Sequence, residues 1–391
     1  MGTVNLQALL TRTRSWLRRN LFSSVGNTLL TILCLVTLAA IGQGLWHWLT
    51  EVANWQVVQV NLPLLLVGRF PRDQLWRIWV ILGLILGIGH FSWGYLDAKF
   101  TRAIALWGGV GAMAVLVALT LAGRPLGWIL ALWLGSGICW GGGHWLGSRF
   151  RQIGQYFPVL WAGGFFGVLW LLGGGLGLQA VSRTLWQGLV LTLLMAFSGI
   201  ILSFPMGVLL ALGRRSSLPV IRLLSIFYIE VVRGLPLIGI LFSAQVLLPL
   251  IFPRTFEIDN VTRAIAGLTL FSAAYLAENV RGGLQSVPSG QVDAAEALGL
   301  TRWTTLGLIV LPQALRAVIP AIVGQFIGLL KDTTLLSLVG LFELLGMARS
   351  VLSQPEFIGY YGEVYSFVGV LYWIFCYLMS LGSRQLEIQR R

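Results

Sequence analysis

Few residues in this chain are equipped for chemistry, and their spacing restricts what that chemistry is. Its two lysines, Lys99 and Lys331, do not follow a glycine. A P-loop ends in Gly-Lys-Ser/Thr, with the lysine on the phosphates, so no such ATP site is encoded. His47, His90 and His144 are isolated, with no H-E-x-x-H, and His144 in "GGGHWLG" reads as an interfacial or packed histidine. Ser136 and His144 lie eight residues apart, about 12 Å along a helix, too far for direct proton transfer. Cys34, Cys139 and Cys376 lack CxxC spacing, which speaks against a disulfide framework or a zinc site. What remains is charge inside apolar stretches. "EVVRGLP" carries Glu230 and Arg233, "AENVRGG" carries Glu278, Asn279 and Arg281, and "LLKDTTLL" carries Lys331 and Asp332. Ionisable groups at membrane depth are functional candidates by default. Two readings stand: they meet a polar solute, or they pair with one another to hold helices together. Glu230 and Arg233, three apart, are spaced to pair on one helix face.

Those groups must be positioned by apolar elements. The 391 residues are 57% hydrophobic and only 10% charged, too little charge to cover a soluble fold of this length. Apolar runs recur near the ~20 residues that cross a hydrocarbon core, and 17 tryptophans suit membrane–water interfaces. An all-α polytopic membrane protein follows, in contact with lipid. The net charge of +13 would raise nucleic acid as a partner in a soluble protein. Here it is scattered over short loops, and arginine marks the cytoplasmic side.

About ten spans are expected: Val25–Leu49, Trp76–Tyr95, Ala103–Ala122, Pro125–Gly147, Phe157–Gly177, Leu185–Leu212, Ile221–Leu250, Val261–Val280, Leu306–Leu330 and Val364–Gly382. The first exceeds a signal-peptide core and no A-x-A site follows it, so it reads as a retained helix. Most of the 27 basic residues fall in loops that are cytoplasmic if both termini are inside. Two blocks are visible. Residues 1–182 are spans rich in Gly and Trp; residues 183–391 carry the polar punctuation. "GGG" at 141–143 and 173–175 reads as close helix packing. The segment from Leu335 to Tyr360, with Pro355, is long enough to dip into the membrane before the last span.

One stretch, "DAAEALGLTRWTTLGLIVLP" from Asp293 to Pro312, is alanine-rich and charge-bearing. Ser289 is placed to cap a short helix, with Asp293 in its first turn. Ala294 and Ala295 leave a low face for another protein. Gly299 suits the left-handed position that ends a helix, and Thr301 caps the next. Pro312 and Pro320 offer bends in the following span.

The order Asp293-Ala294-Ala295, three residues, Gly299, nine residues, Ile309-x-Leu311-Pro312 resembles the coupling-loop signature of ABC importer permeases. There the pattern is Glu-Ala-Ala, Gly, Ile-x-Leu-Pro; Asp293 keeps the charge and shortens the reach. "YIEVVRGLPLI", "AAYLAENVRGGLQSVPSGQVDAAEALG" and "LLKDTTLLSLVG" extend the likeness to the polar amino acid uptake subfamily. "NLFSSVGNTLLTILCLV" and the extra spans are similar to the enlarged permeases of general L-amino acid systems.

The resemblance implies a type I importer core at 183–391 with a cytoplasmic coupling helix at about 289–300, behind accessory helices at 1–182. It implies a bacterial inner-membrane permease without its own ATPase site. It implies an ABC ATPase dimer that holds ATP-Mg, a second permease (another subunit or a second copy), and a periplasmic amino-acid-binding protein. Asp293, Ala294, Ala295, Gly299 and Pro312 would couple to the ATPase. Glu230, Arg233, Glu278, Asn279, Lys331 and Asp332 are candidates for the substrate path, where a zwitterion meets one group of each sign. An ion-coupled secondary transporter is the alternative; a second copy of the Asp293–Pro312 pattern in the first block would favour it, and none is seen.

Overall fold

The computed structural model describes residues 15–96, 125–251 and 258–388. It divides into two compact units, Met1–Gln56 and Val57–Arg391. The helices, in chain order, are α1 (Val25–His47), α2 (Gln56–Val67), α3 (Trp76–Leu96), α4 (Pro125–Arg149), α5 (Phe157–Gly173), α6 (Gly188–Arg214) and α7 (Pro219–Gly234). They continue with α8 (Leu237–Ile251), α9 (Asn260–Ser286), α10 (Ser289–Ala297), α11 (Arg302–Thr305), α12 (Leu311–Asp332), α13 (Leu344–Leu352) and α14 (Tyr361–Ile388). Helices are what a membrane demands, because every backbone N–H and C=O finds its partner within the segment.

Among the described residues six helices are long and apolar enough to cross a membrane, seven if one bent pair is a single span. Two more, α4 and α9, have the length, at 25 and 27 residues. Their glycines and polar side chains keep them from counting as strongly apolar. The expected span Ala103–Ala122 lies outside the described residues. Within its own unit α1 starts at Ser24, whose side chain accepts the Asn27 N–H at 3.2 Å. That satisfies one of the free N–H groups of a helix start.

The expected span Ile221–Leu250 is corrected. It is two helices, α7 and α8, bent by 109°. Pro236 has no N–H and pushes the residue before it out of the helical region; Leu235 is extended, at φ −99° and ψ 142°. The apolar run continues through the break, so composition alone hides it.

The two GGG runs do different work. In the first, an added Cβ at Gly143 would stand 2.1 Å from the Phe91 carbonyl oxygen, while Gly141 and Gly142 face open space. Gly94 and Gly147 make the same kind of approach, to the oxygens of Trp140 and Tyr95. So α3 and α4 pack backbone to backbone, as small residues permit in membranes. The second run is a turn: α5 ends at Gly173, and Gly174 and Gly175 take positive φ. Reading it as helix packing is corrected.

In the remainder, α9 is central, packing on α6, α7, α8 and α12. Its buried face is mostly small: Ala264, Gly267, Ala273, Ala274 and Ala277, with Leu268 and Leu276. The segment after α12 makes a 3-10 turn, Thr333–Val339, and then α13. Leu344, Met347, Val351 and Leu352 of α13 are buried, and it packs on α6 and α14.

A Gly143→Val variant should lower stability by about 1–3 kcal/mol, because its side chain overpacks the α3 backbone. Gly142→Ala, facing open space, should stay within about 0.5 kcal/mol. Thermal unfolding in detergent separates the two; equal effects would contradict the backbone-to-backbone contact.

Candidate functional site: a short helix and an arginine cluster

After α9 the chain turns through Val287 and Pro288 into α10, nine residues long. Pro288 is the N-cap residue, and no side chain caps this end. The expectation that Ser289 caps it is therefore corrected: Ser289 is the first helical residue. Asp293 accordingly falls in the second turn and is exposed.

The two alanines face opposite ways. Ala294 is exposed, whereas Ala295 is 1% exposed. Val292, three residues before Ala295, packs on a buried cluster that includes Ala211, Ile229, Val280, Leu284 and Val310. Residues three apart share a helix face, so Val292 and Ala295 seat α10 on the bundle. Ala295 is small enough to let it sit close. The expectation that both alanines form the outward surface holds only for Ala294.

The C-terminal end of α10 is a Schellman motif. The Leu300 N–H donates to the Ala295 carbonyl at 3.1 Å, and the Gly299 N–H to Glu296 at 2.9 Å. Gly299 has φ +75° with open space around it. Glycine is required there by backbone conformation rather than by room. Thr301 then caps α11, its Oγ1 accepting the Thr304 N–H at 3.3 Å. A π-helical turn, Leu306–Val310, leads into α12. Pro312 is the second residue of α12, just past the π-helical turn.

Around this elbow three large apolar side chains are exposed. Leu298 is 80% exposed, Trp303 82% and Leu308 73%. Sequence reasoning missed them. Their only signal was apolar residues flanking a helix-ending glycine in a charged loop. With Ala294 they leave apolar surface uncovered on both sides of Gly299.

Above α10 lies a charge cluster. Glu278 Oε1 meets Arg214 Nη1 at 2.8 Å, and Oε2 meets Arg281 Nη2 at 2.7 Å. Arg233 Nη1 is 3.8 Å from the same Oε2 and lies over the Tyr275 ring, 5.5 Å from its centroid. Arg214 also meets Glu230 Oε1 at 3.0 Å. One carboxylate thus ties α6, α7 and α9. The expected pairing of Glu230 with Arg233 is corrected: each turns instead to a partner on another helix. Asn279, beside Glu278, makes no side-chain hydrogen bond among the described residues and is half-buried.

Lys331 and Asp332 are not brought to this cluster. They end α12, 22 residues from its start near α10, or roughly 30 Å at 1.5 Å per residue. Among the described residues neither side chain has an ion-pair partner within 4 Å; Lys331 is exposed and Asp332 half-buried.

Residues 203–388 match the family model described as "Binding-protein-dependent transport system inner membrane component". An Escherichia coli K12 protein, "Inner membrane amino-acid ABC transporter permease protein YhdY", is 38% identical, over 96% of this chain and 92% of that one. The "Glutamate/glutamine/aspartate/asparagine transport system permease protein BztC" of Rhodobacter capsulatus is 36% identical, over 95% and 92%. A solved structure titled "Crystal structure of an amino acid ABC transporter with histidines" aligns with 31% identity and a TM-score of 0.47, over 52% of this chain and 92% of that one.

Three variants test the site. Gly299→Val places a β-branched side chain at positive φ, a penalty of about 1–2 kcal/mol or more. It should leave assembly intact but uncouple solute uptake from ATP hydrolysis in the reconstituted transporter; unchanged uptake would remove α10 from the coupling role. Glu278→Gln removes the charge that three arginines share, leaving Arg214 only Glu230, and should lower the thermal midpoint clearly. Glu230→Gln, at a 55% exposed side chain, should shift stability by no more than about 1 kcal/mol.

With relatives matched along nearly its whole length, the chain belongs to the amino-acid ABC transporter permeases, the inner membrane components of binding-protein-dependent transport systems.

Proposed function

We propose that this chain is the permease subunit of an importer for polar L-amino acids and has no ATPase site of its own. ATP-Mg binds on a partner ABC ATPase dimer, which grips the surface around Asp293, Ala294, Leu298 and Trp303. A binding protein delivers the amino acid on the opposite face, and a second permease completes the path. Both termini lie in the cytoplasm, as the arginine bias supports.

The observation that carries this reading is the elbow. A nine-residue helix ends in a left-handed glycine and joins two spanning helices directly. It displays bare apolar side chains on a chain with no lysine in P-loop context. Displacing α10 would move α9 and α12 as rigid bodies.

The substrate path is assigned by elimination. Glu230, Arg233 and Glu278 take part in ion pairs with each other's helices and serve mainly to hold α6, α7 and α9. Lys331 and Asp332 carry opposite charges and have no ion-pair partner among the described residues, a match for the carboxylate and ammonium of a zwitterion, with Asn279 as a further polar candidate. Ionisable groups in spans mostly face the bundle interior or a water-filled route, which supports a place on the path for half-buried Asp332.

Co-purification in mild detergent should recover an ATPase and a second permease polypeptide or copy. In proteoliposomes, ATPase activity should rise on adding binding protein with its amino acid. Uptake driven by an ion gradient without ATP would overturn the reading in favour of a secondary transporter. Within the importer, Asp332→Asn should reduce uptake at least tenfold with assembly intact. If it and Lys331→Gln both transport normally, the pair is not on the path.

A further inference from the structure

Among the helices ahead of the permease core, α2 touches the core at a telling place. α2 is well buried: Leu62, Leu65, Leu66 and Val67 all face inward. It ends at Gly68, with φ +60°, where an added Cβ would stand 2.2 Å from Gln187 Cβ. In return, a Cβ on Gly188, at φ +64°, would stand 2.5 Å from the Leu65 carbonyl oxygen. The end of α2 and the start of α6 therefore meet through backbone, with no flexible side chain between them.

Gly188 does not stop there. Its N–H donates to the Phe342 carbonyl at 2.8 Å, in an isolated bridge to Glu343. The Leu344 N–H donates to Thr192 Oγ1 at 3.0 Å. Glu343 is fully buried. Its carboxylate accepts the N–H groups of Leu345 and Gly346, each at 2.8 Å, and the Tyr372 hydroxyl at 3.1 Å. So the turn before α13 is stitched to α6 and α14, and α2 presses on the same stitch. The loop leading to Gln187 is itself held: buried Arg77 donates to the Gln179 carbonyl at 2.8 Å.

All of this lies at the far end of α6 from Arg214, the end that joins the Glu278 cluster near α10. At 27 residues the separation is roughly 40 Å. We propose that α2 is a brace for the permease core. By bearing on Gly188 it seats the Phe342–Gly346 turn, and with it α13. The accessory helices thereby fix the end of the bundle remote from the coupling helix, giving the spans a pivot when α10 is displaced. The coupling is a contiguous backbone contact, and as a free energy it runs in both directions.

Reciprocity supplies the test, by amide hydrogen exchange on the purified full-length protein, with no ATPase or solute present. Thr192→Val is nearly isosteric and removes the acceptor of the Leu344 N–H. Exchange at 344–346 should rise about tenfold, and exchange at 67–70, beside Gly68, should rise with it, while α3 and α4 stay protected. Faster exchange at 344–346 with 67–70 unchanged, or no change at either, overturns the proposal. Gly68→Ala probes the opposite direction and should loosen 342–346. If that variant fails to fold, the Thr192→Val result still decides. Failure of the importer reading would leave the exchange pattern untouched, so the two ideas fail separately.

Discussion

The bond on which this permease turns is a carboxylate shared among arginines. Glu278 reaches Arg214, Arg281 and Arg233, drawn from three helices, their side chains 24%, 33% and 37% exposed. Guanidinium groups brought this close repel one another unless an acid lies between them. One acid surrounded by bases settles the cost and fixes the mutual rotation of α6, α7 and α9. With those helices set, α9 can hand on to α10 at a defined height. With two glutamates against three arginines, Glu230 included, the cluster keeps a net charge of +1.

From that anchorage the molecule reads as two ends with different characters. Near α10 the packing is side chain on side chain: Val292 and Ala295 rest on an aliphatic cluster, with bare apolar groups beyond. At the other end of α6 contact is by backbone, through glycines, and by hydrogen bonds to a buried acid. The first end leaves apolar surface uncovered, whereas the second closes on backbone and on a buried acid whose bonds are all met within the bundle.

How much of this was legible in the sequence depends on the range of the cause. Gly299 and Thr301 were readable because a positive φ and a helix cap are local matters of residue type. The cap at Ser289 was misread because Pro288 starts the helix one residue early, with no side chain involved. That Ala295 turns in and Ala294 out is settled by where Val292 docks, which no pattern of two adjacent alanines reveals. The break at Pro236 went unread because the apolar run continues through it, and its 109° angle has no counterpart in composition. The partners of Glu278 were hidden for the same reason, since Arg214 lies 64 residues away in the chain. The contact of Gly68 with Gln187 has no sequence signal at all.

The α3–α4 pair carries an implication for the lipid around it. Because Gly94, Gly143 and Gly147 lay backbone against carbonyl oxygen, no compressible layer separates the two rods, and one cannot slide or roll without the other. In bilayers of unequal thickness, where single helices relieve mismatch by leaning individually, this pair must lean as a plank.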